Sequence, residues 1–237
     1  MLFRSSNQDM KMSVRGRIDR IDTYETDEKV YVKVMDYKSG QKKFDVVSFY
    51  YGLQLQLVVY MEQALLKVKK EQPDKEVIPA AMLYYAVSDP IVKGQNLTKE
   101  ELETLVEKEL VMRGLVNSDD DICVKLDEEL KGASSSSGVI AVSRGKNGEY
   151  KAGSEICTTA EFQKLSQFMN EKMLEIGTKI RRGTLEKKPV KQNDRTGCTY
   201  CAYRGVCGFD AKMPGFNYEN VTLSEEEAMR RIMSKEK

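Results

Sequence analysis

Two strand-like runs near the start of the chain constrain its fold more than any other feature. "MSVRGRIDRIDTY" (12–24) and "VYVKVMDYKSG" (30–40) flank the polar "TDEK" (26–29). In the second run Val30, Val32, Val34 and Asp36 share one parity, so their side chains line one face of a strand. Apolar alternation on both sides of a short polar stretch predicts a β-hairpin. With the turn at Asp27-Glu28, residues whose numbers total 55 face each other, and Asp19 falls opposite Asp36. Directly opposed residues hold their Cβ atoms roughly 4.5–5.5 Å apart, where like charges are unfavourable. At about 4 Å and an effective dielectric of about 20, the repulsion is on the order of 4 kcal/mol. A divalent cation turns that cost into a binding site, and hard carboxylate oxygens suit Mg²⁺ or Mn²⁺. Lys38 follows Asp36 by two residues and shares its face, placed to orient a water or steady developing negative charge beside such an ion. The plainer alternative is an exposed face whose Asp and Lys pair harmlessly.

The rest of the chain is able to bury that hairpin. It has 237 residues, 41% hydrophobic and 32% charged, which predicts one main folded domain with appended elements. Phe44 to about Lys70 predicts one long amphipathic helix, with Asp45 or Ser48 as its cap and Leu53, Leu57, Tyr60, Met61 and Ala64 as its stripe. "VIPAAMLYYAV" (77–87) predicts a buried strand, with Pro79 at an edge or bulge. A charged helix is expected over 98–113, ended by "NSDDD". "GASSSSG" (132–138) predicts a loop, and "VIAVSR" and "EYKAG" a second hairpin around Asn147-Gly148. Thr159 to Arg182 predicts a second long helix, the tail to Tyr218 is expected to be loop-like, and Ser224 with Glu227 marks a capping box for a short last helix. The fold class expected is therefore α/β, a mixed central sheet flanked by long helices.

Charge and absent residues narrow the chemistry. Lys plus Arg number 38 against 37 for Asp plus Glu, so any polyanion site must be local. Arg181, Arg182, Lys187, Lys188 and Lys191 are candidates to guide such a strand, against the alternative of a solvated basic loop. No histidine is present, which closes imidazole base catalysis and imidazole metal ligation to this chain. No membrane-spanning run or signal peptide is visible, and a reducing cytoplasmic setting is expected. Five cysteines argue against a disulfide framework there. In "GCTYCAYRGVCGFD" the thiols Cys198, Cys201 and Cys207 are spaced for a shared Fe–S cluster, a zinc site completed elsewhere, or free thiols. Cys123 and Cys157 read as ordinary small apolar residues.

"GRIDRID", "MDYKSG" and "LQLQLVVY" together resemble the nuclease motifs of the RecB-type branch of the PD-(D/E)XK superfamily. The resemblance implies that Asp19 and Asp36 are the metal-binding aspartates, joined by the backbone carbonyl of Tyr37. It implies that Lys38 is the catalytic lysine, and that Gln56 and Tyr60 form a helix-borne Q-x-x-x-Y motif, with Gln54 a rival for the glutamine. Gln56 and Tyr60 stand one helical turn apart and face one cleft. With the cysteine triplet added, nearly the whole chain resembles the C-terminal nuclease domain of the B subunit of AddAB (RexAB) helicase–nucleases. That implies Mg²⁺-dependent exonuclease action on a DNA strand from an unwound duplex end, a helicase–nuclease A subunit as partner, and a role in double-strand-break repair and recombination.

In that family the triplet joins an upstream cysteine to hold a [4Fe–4S] cluster. Here no cysteine precedes Cys123, and the family's initial nuclease motif is missing. The expected organisation is a nuclease domain truncated at its N-terminus (1–191), a cysteine-rich segment (192–218) and a charged helix (219–237), with the cluster incomplete or absent. Two other classes stand beside this reading. One is a non-catalytic DNA-binding or docking module stapled by a cysteine metal site, against which the intact Asp19, Asp36 and Lys38 argue. The other is a zinc-ribbon interaction protein, which leaves the hairpin unexplained.

Overall fold

The computed structural model describes residues 2–7, 10–92, 94 and 97–234. It is mixed α/β, as expected. The strands β3 (Arg20–Glu25), β4 (Lys29–Lys38), β5 (Glu76–Ala86), β6 (Arg113–Asn117) and β7 (Ile156–Cys157) form a five-stranded sheet in that order. β3–β4 and β5–β6 are antiparallel, whereas β4–β5 and β6–β7 are parallel. A separate two-stranded sheet joins β1 (Leu2–Asn7) to β2 (Met10–Arg15). The first alternating run is thus two strands, interrupted at 16–19. By contact the chain divides into two units. The first comprises residues up to Arg4, Ser13–Phe44 and Gln56–Gln167; the second comprises Ser5–Met12, Asp45–Leu55 and the chain from Phe168 onward.

In the first unit the β3–β4 register is the one the turn position predicts, with Arg20 opposite Met35, Ile21 opposite Val34 and Glu25 opposite Val30. Val30, Val32 and Val34 are fully buried, and Asp36 continues their face at 3% exposure. β5 reads as an unbroken apolar run because it pairs on both edges and is covered on both faces. Pro79 sits at a bulge: Val32 pairs with Pro79 and Lys33 with Ala81, which leaves Ala80 as the extra residue.

Helix α2 (Gln56–Glu71) packs on β4 and β5. It buries Leu57, Val58, Met61, Ala64 and Val68; the larger of these contribute about 1.5–3 kcal/mol each. On the opposite face Met35, Ala81 and Leu83 pack with Met112, Val116, Cys123, Leu130, Ile140 and Val142. Helix α3 (Lys99–Leu110) starts at the Thr98–Glu101 capping box and buries none of its residues. It stops short of 113 because "RGLVN" is a sheet strand. "NSDDD" opens helix α4 (Asp120–Leu126), capped by Asp119, and a 3₁₀ turn (Glu128–Lys131) follows. Around Gly148 (φ +84°) the chain turns tightly, but a single bridge, Arg144 to Tyr150, replaces the expected hairpin ladder. Arg144 and Tyr150 both bind Asp120 Oδ1 at 2.8 Å, which fastens this loop to α4.

In the second unit the long helix expected from Phe44 is cut short. α1 spans only Val46–Tyr50, capped by Asp45, whose Oδ1 accepts from the Val47 and Ser48 amides. Gly52 (φ +81°) ends it: its N–H donates to the Phe49 carbonyl and the Leu53 N–H to the Ser48 carbonyl, a Schellman closure that needs a left-handed residue. Leu53, expected in the apolar stripe, is therefore exposed. Helix α5 (Thr159–Arg181) begins at a Thr158–Glu161 capping box in the first unit. Its Phe168 stacks on Tyr50 at 5.4 Å in the second.

The tail is more ordered than its composition suggests. β8 (Val190–Gln192) pairs with β9 (Arg195–Thr196) and β10 (Glu219–Asn220). Between them lie a 3₁₀ turn (Gly197–Tyr200) and the short α6 (Arg204–Cys207). In α7 (Glu225–Ser234) Ser224 Oγ accepts from the Glu227 N–H, while the Glu227 carboxylate binds Arg230 and Arg231. Residues 235–237 of the expected last helix lie outside the described residues. Among the described residues no helix is long and apolar enough to cross a membrane.

Candidate functional site

The end of β4 and the first turn of α2 meet in one corner of the sheet unit. The strand period places Asp36 and Lys38 on the face that α2 covers, and Gln56 opens that helix, with Tyr60 one turn on. Lys38 Nζ pairs with Asp36 Oδ2 and donates to Gln56 Oε1 at 3.0 Å. Gln56 Nε2 donates to Asp36 Oδ1 at 3.2 Å and to the Tyr60 hydroxyl at 2.9 Å. Chemistry fixes the amide's orientation: ammonium only donates and carboxylate only accepts, so oxygen must face Lys38 and nitrogen Asp36. Asp36, Lys38 and Gln56 thus close a ring, tied by Gln56 to Tyr60. Gln54 goes elsewhere, accepting from the Asp45 N–H at 3.3 Å beside the α1 cap.

Asp19 is exposed just before β3, and its Oδ2 accepts from the Tyr37 N–H at 3.0 Å. The carboxylate repulsion expected from the hairpin is therefore offset, Asp36 by the Lys38 ammonium and Asp19 by a backbone amide. Asp36 Oδ2 is buried and, among the described residues, takes no hydrogen bond beyond its ion pair with the Lys38 ammonium. Such an oxygen, with the Tyr37 carbonyl next in sequence and the Asp19 carboxylate held on the Tyr37 N–H, matches the hard donors Mg²⁺ takes when it keeps several waters. Among the described residues no group of three or more His, Cys, Asp or Glu side chains is gathered to hold a metal.

Two residues that sequence reasoning missed share this corner. Tyr84 on β5 is the register partner of Asp36, so both side chains lie on one face. Its ring lies under Lys38 Nζ at 5.6 Å and Lys42 Nζ at 4.9 Å, both within cation–π range. Burial, then the charges of Asp36 and Tyr60, push the Tyr84 hydroxyl well above the ordinary phenol value. Burial, then the neighbouring Lys38, hold Lys42 below the usual lysine value, with Asp36 pulling the other way. No local signal marks either residue: Tyr84 is placed by a parallel register that no turn fixes, and Lys42 lies on a loop without periodicity.

The cysteines separate into two groups. Cys123 and Cys157 are buried in the sheet unit, and burial first raises both thiols. Cys123 Sγ donates to the Asn117 carbonyl at 3.1 Å, a structural role. Cys198 and Cys207 are half-buried and Cys201 exposed, and the three are not gathered as metal ligands. Of the basic residues, Lys187 lies over Phe216 at 5.4 Å and Lys191 over Tyr218 at 5.6 Å, so both also pack the tail. Arg181, Arg182 and Lys188 are exposed.

Comparison with known proteins matches residues 2–208 to the PD-(D/E)XK nuclease superfamily. The chain is 40% identical over 234 residues to the B subunit of the ATP-dependent helicase/deoxyribonuclease of Lachnoclostridium phytofermentans, covering 96% of this chain and 20% of that one. It is 34% identical over 228 residues to the protein of the same name from Clostridium kluyveri, covering 95% and 20%. For that of Alkaliphilus oremlandii the identity is 35% over 223 residues, covering 94% and 19%. The chain spans about a fifth of the length of these curated relatives.

Proposed function

This chain belongs to the PD-(D/E)XK nuclease superfamily, and from that premise we propose that the Asp36–Lys38–Gln56 corner hydrolyses DNA phosphodiesters. The observation that carries the reading is the closed ring, which brings a buried carboxylate, an ammonium and an orienting amide to one point. Asp36, Asp19 and the Tyr37 carbonyl would hold Mg²⁺ or Mn²⁺. When bound, such an ion supplies Lewis acidity toward the phosphoryl group and makes water a better nucleophile.

The chain's own residues do the rest. Lys38 directs its charge at the attacking water and at the phosphoryl oxygens as negative charge builds. Gln56 keeps the ammonium and the carboxylate at fixed separation, and Tyr60 holds Gln56. A new P–O bond forms to the water oxygen as the opposite P–O bond breaks.

By analogy with the relatives' name, the chain is the nuclease part of the B polypeptide of a helicase–nuclease. We place it as an exonuclease on a strand from an unwound duplex end, in the cytoplasm, with an A subunit as partner and repair and recombination as its setting. Cys198, Cys201 and Cys207 would contribute thiolates to a [4Fe–4S] cluster in such a parent.

The test is cleavage of a single-stranded oligonucleotide with and without Mg²⁺. Asp36→Asn and Lys38→Ala are each expected to lower the rate at least ~100-fold while the far-ultraviolet circular dichroism stays native. Wild-type rates in a folded Asp36→Asn protein overturn the assignment.

A further inference from the structure

Tyr84 is 2% exposed, and among the described residues its hydroxyl has no hydrogen-bond partner. Buried hydroxyls are seldom left unsatisfied, so a working partner belongs at this point. Two ammoniums face the same ring. Lys38 is committed to Asp36 and Gln56, whereas Lys42, half-buried on the loop after β4, pairs with no carboxylate among the described residues. Two ammoniums over the face of one ring, one of them without a carboxylate partner among the described residues, and a ring hydroxyl without a partner fit an anion with several oxygens. In the corner proposed above, that anion is a phosphate of the bound strand.

We propose that Lys42 and the Tyr84 hydroxyl together bind one phosphate of the DNA strand, adjacent to the phosphate being hydrolysed. The inference rests on the reading of the corner as a nuclease site and adds two positioning residues to it. The Tyr84 ring seats Lys42, and its register beside Asp36 fixes the distance from the anchored phosphate to the reacting one. Neither residue touches the reacting atoms, so their loss weakens binding and alignment and leaves the ring of Asp36, Lys38 and Gln56 in place.

The experiment measures fluorescence anisotropy of a labelled 15-nucleotide oligo(dT) on the full chain, with Ca²⁺ replacing Mg²⁺, across a KCl titration. Lys42→Gln is expected to weaken binding roughly fivefold or more at low salt and to flatten the salt slope by about 0.7, one single-strand phosphate. Lys42→Arg keeps the wild-type slope. Tyr84→Phe keeps the ring and the slope but weakens binding. It should also raise the melting temperature of the DNA-free protein, because it removes an unsatisfied buried hydroxyl. A Lys42→Gln protein with wild-type affinity and slope overturns the role of Lys42. A lowered melting temperature in Tyr84→Phe overturns that of its hydroxyl. If Asp36→Asn still cleaves, or the wild type neither binds nor cleaves, the nuclease reading fails and this one with it. If the wild type cleaves through Asp36 and Lys42→Gln binds unchanged, only this inference fails.

Discussion

Gln56 presents three polar contacts through one amide, and each depends on its exact partner chemistry. Its oxygen holds Lys38 and its nitrogen holds both Asp36 and Tyr60. Truncation frees the ammonium to swing away from the carboxylate, and small misplacements of reacting groups are costly. Gln56→Ala is therefore expected to lower the cleavage rate about tenfold or more. Gln54→Ala, which removes only an acceptor beside the α1 cap, should cleave at roughly the wild-type rate. Parallel rate measurements on the two variants decide which glutamine serves the site; a wild-type rate in Gln56→Ala would remove Gln56 from it. The sequence left both glutamines open, because Q-x-Q places them on opposite sides of a helix start that it did not locate. What it did make legible was Asp36 with Lys38, since strand parity alone puts them on one face.

At the scale of elements, legibility followed the length of the hydrophobic pattern. The β3–β4 hairpin was countable because alternation and a short polar turn fix register locally. The run from Phe44 reads as one helix because its stripe continues across Gly52, and only the left-handed backbone there separates α1 from α2. β6 went unseen because five residues with a glycine second among them carry no periodicity, yet that glycine is what lets the strand approach. A Cβ at Gly114 would stand 2.1 Å from the Met82 carbonyl oxygen and 2.9 Å from Leu83 Cα, both backbone of β5. Neither atom can turn aside as a side chain does. Gly114→Ala should therefore push β6 from β5 and cost about 3 kcal/mol, a fall in melting temperature of roughly 6–12 °C. A thermal melt within 2 °C of wild type, roughly the shift of a neutral surface change, would show that the sheet absorbs the methyl group.

For the molecule as a whole, the cysteine segment and the sheet are separate problems. The sheet unit buries its own core, including Cys123 and Cys157. The tail is ordered by β8, β9 and β10 and by the Phe209–Phe216–Tyr218 ring cluster, with centroids 5.7 and 5.0 Å apart. Cys198, Cys201 and Cys207 supply three thiolates where a cubane cluster takes four ligands. Anaerobic reconstitution with iron and sulfide should leave this chain with fewer than four irons after desalting. Four retained irons, lost on mutating Cys123 or Cys157, would overturn that. The tail's small sheet was illegible because two- and three-residue strands, one of them returning from residue 219, leave no pattern in the sequence.

The bulge at Ala80 carries a consequence for how such a chain tolerates insertions and deletions. Upstream of it, Val30 and Val32 of β4 align with odd-numbered Val77 and Pro79; downstream, Val34, Asp36 and Lys38 align with even-numbered Met82, Tyr84 and Ala86. The extra residue is a phase shift. It turns Tyr84 instead of Leu83 toward the carboxylate: with β5 paired regularly from Pro79, Leu83 would stand opposite Asp36, an alkyl chain in place of a phenol. Deleting Ala80 would leave Lys33 opposite Ala81 and Asp36 opposite Tyr84, whereas a residue added between Ala81 and Tyr84 would turn the phenol away from Asp36 unless a second bulge absorbed it.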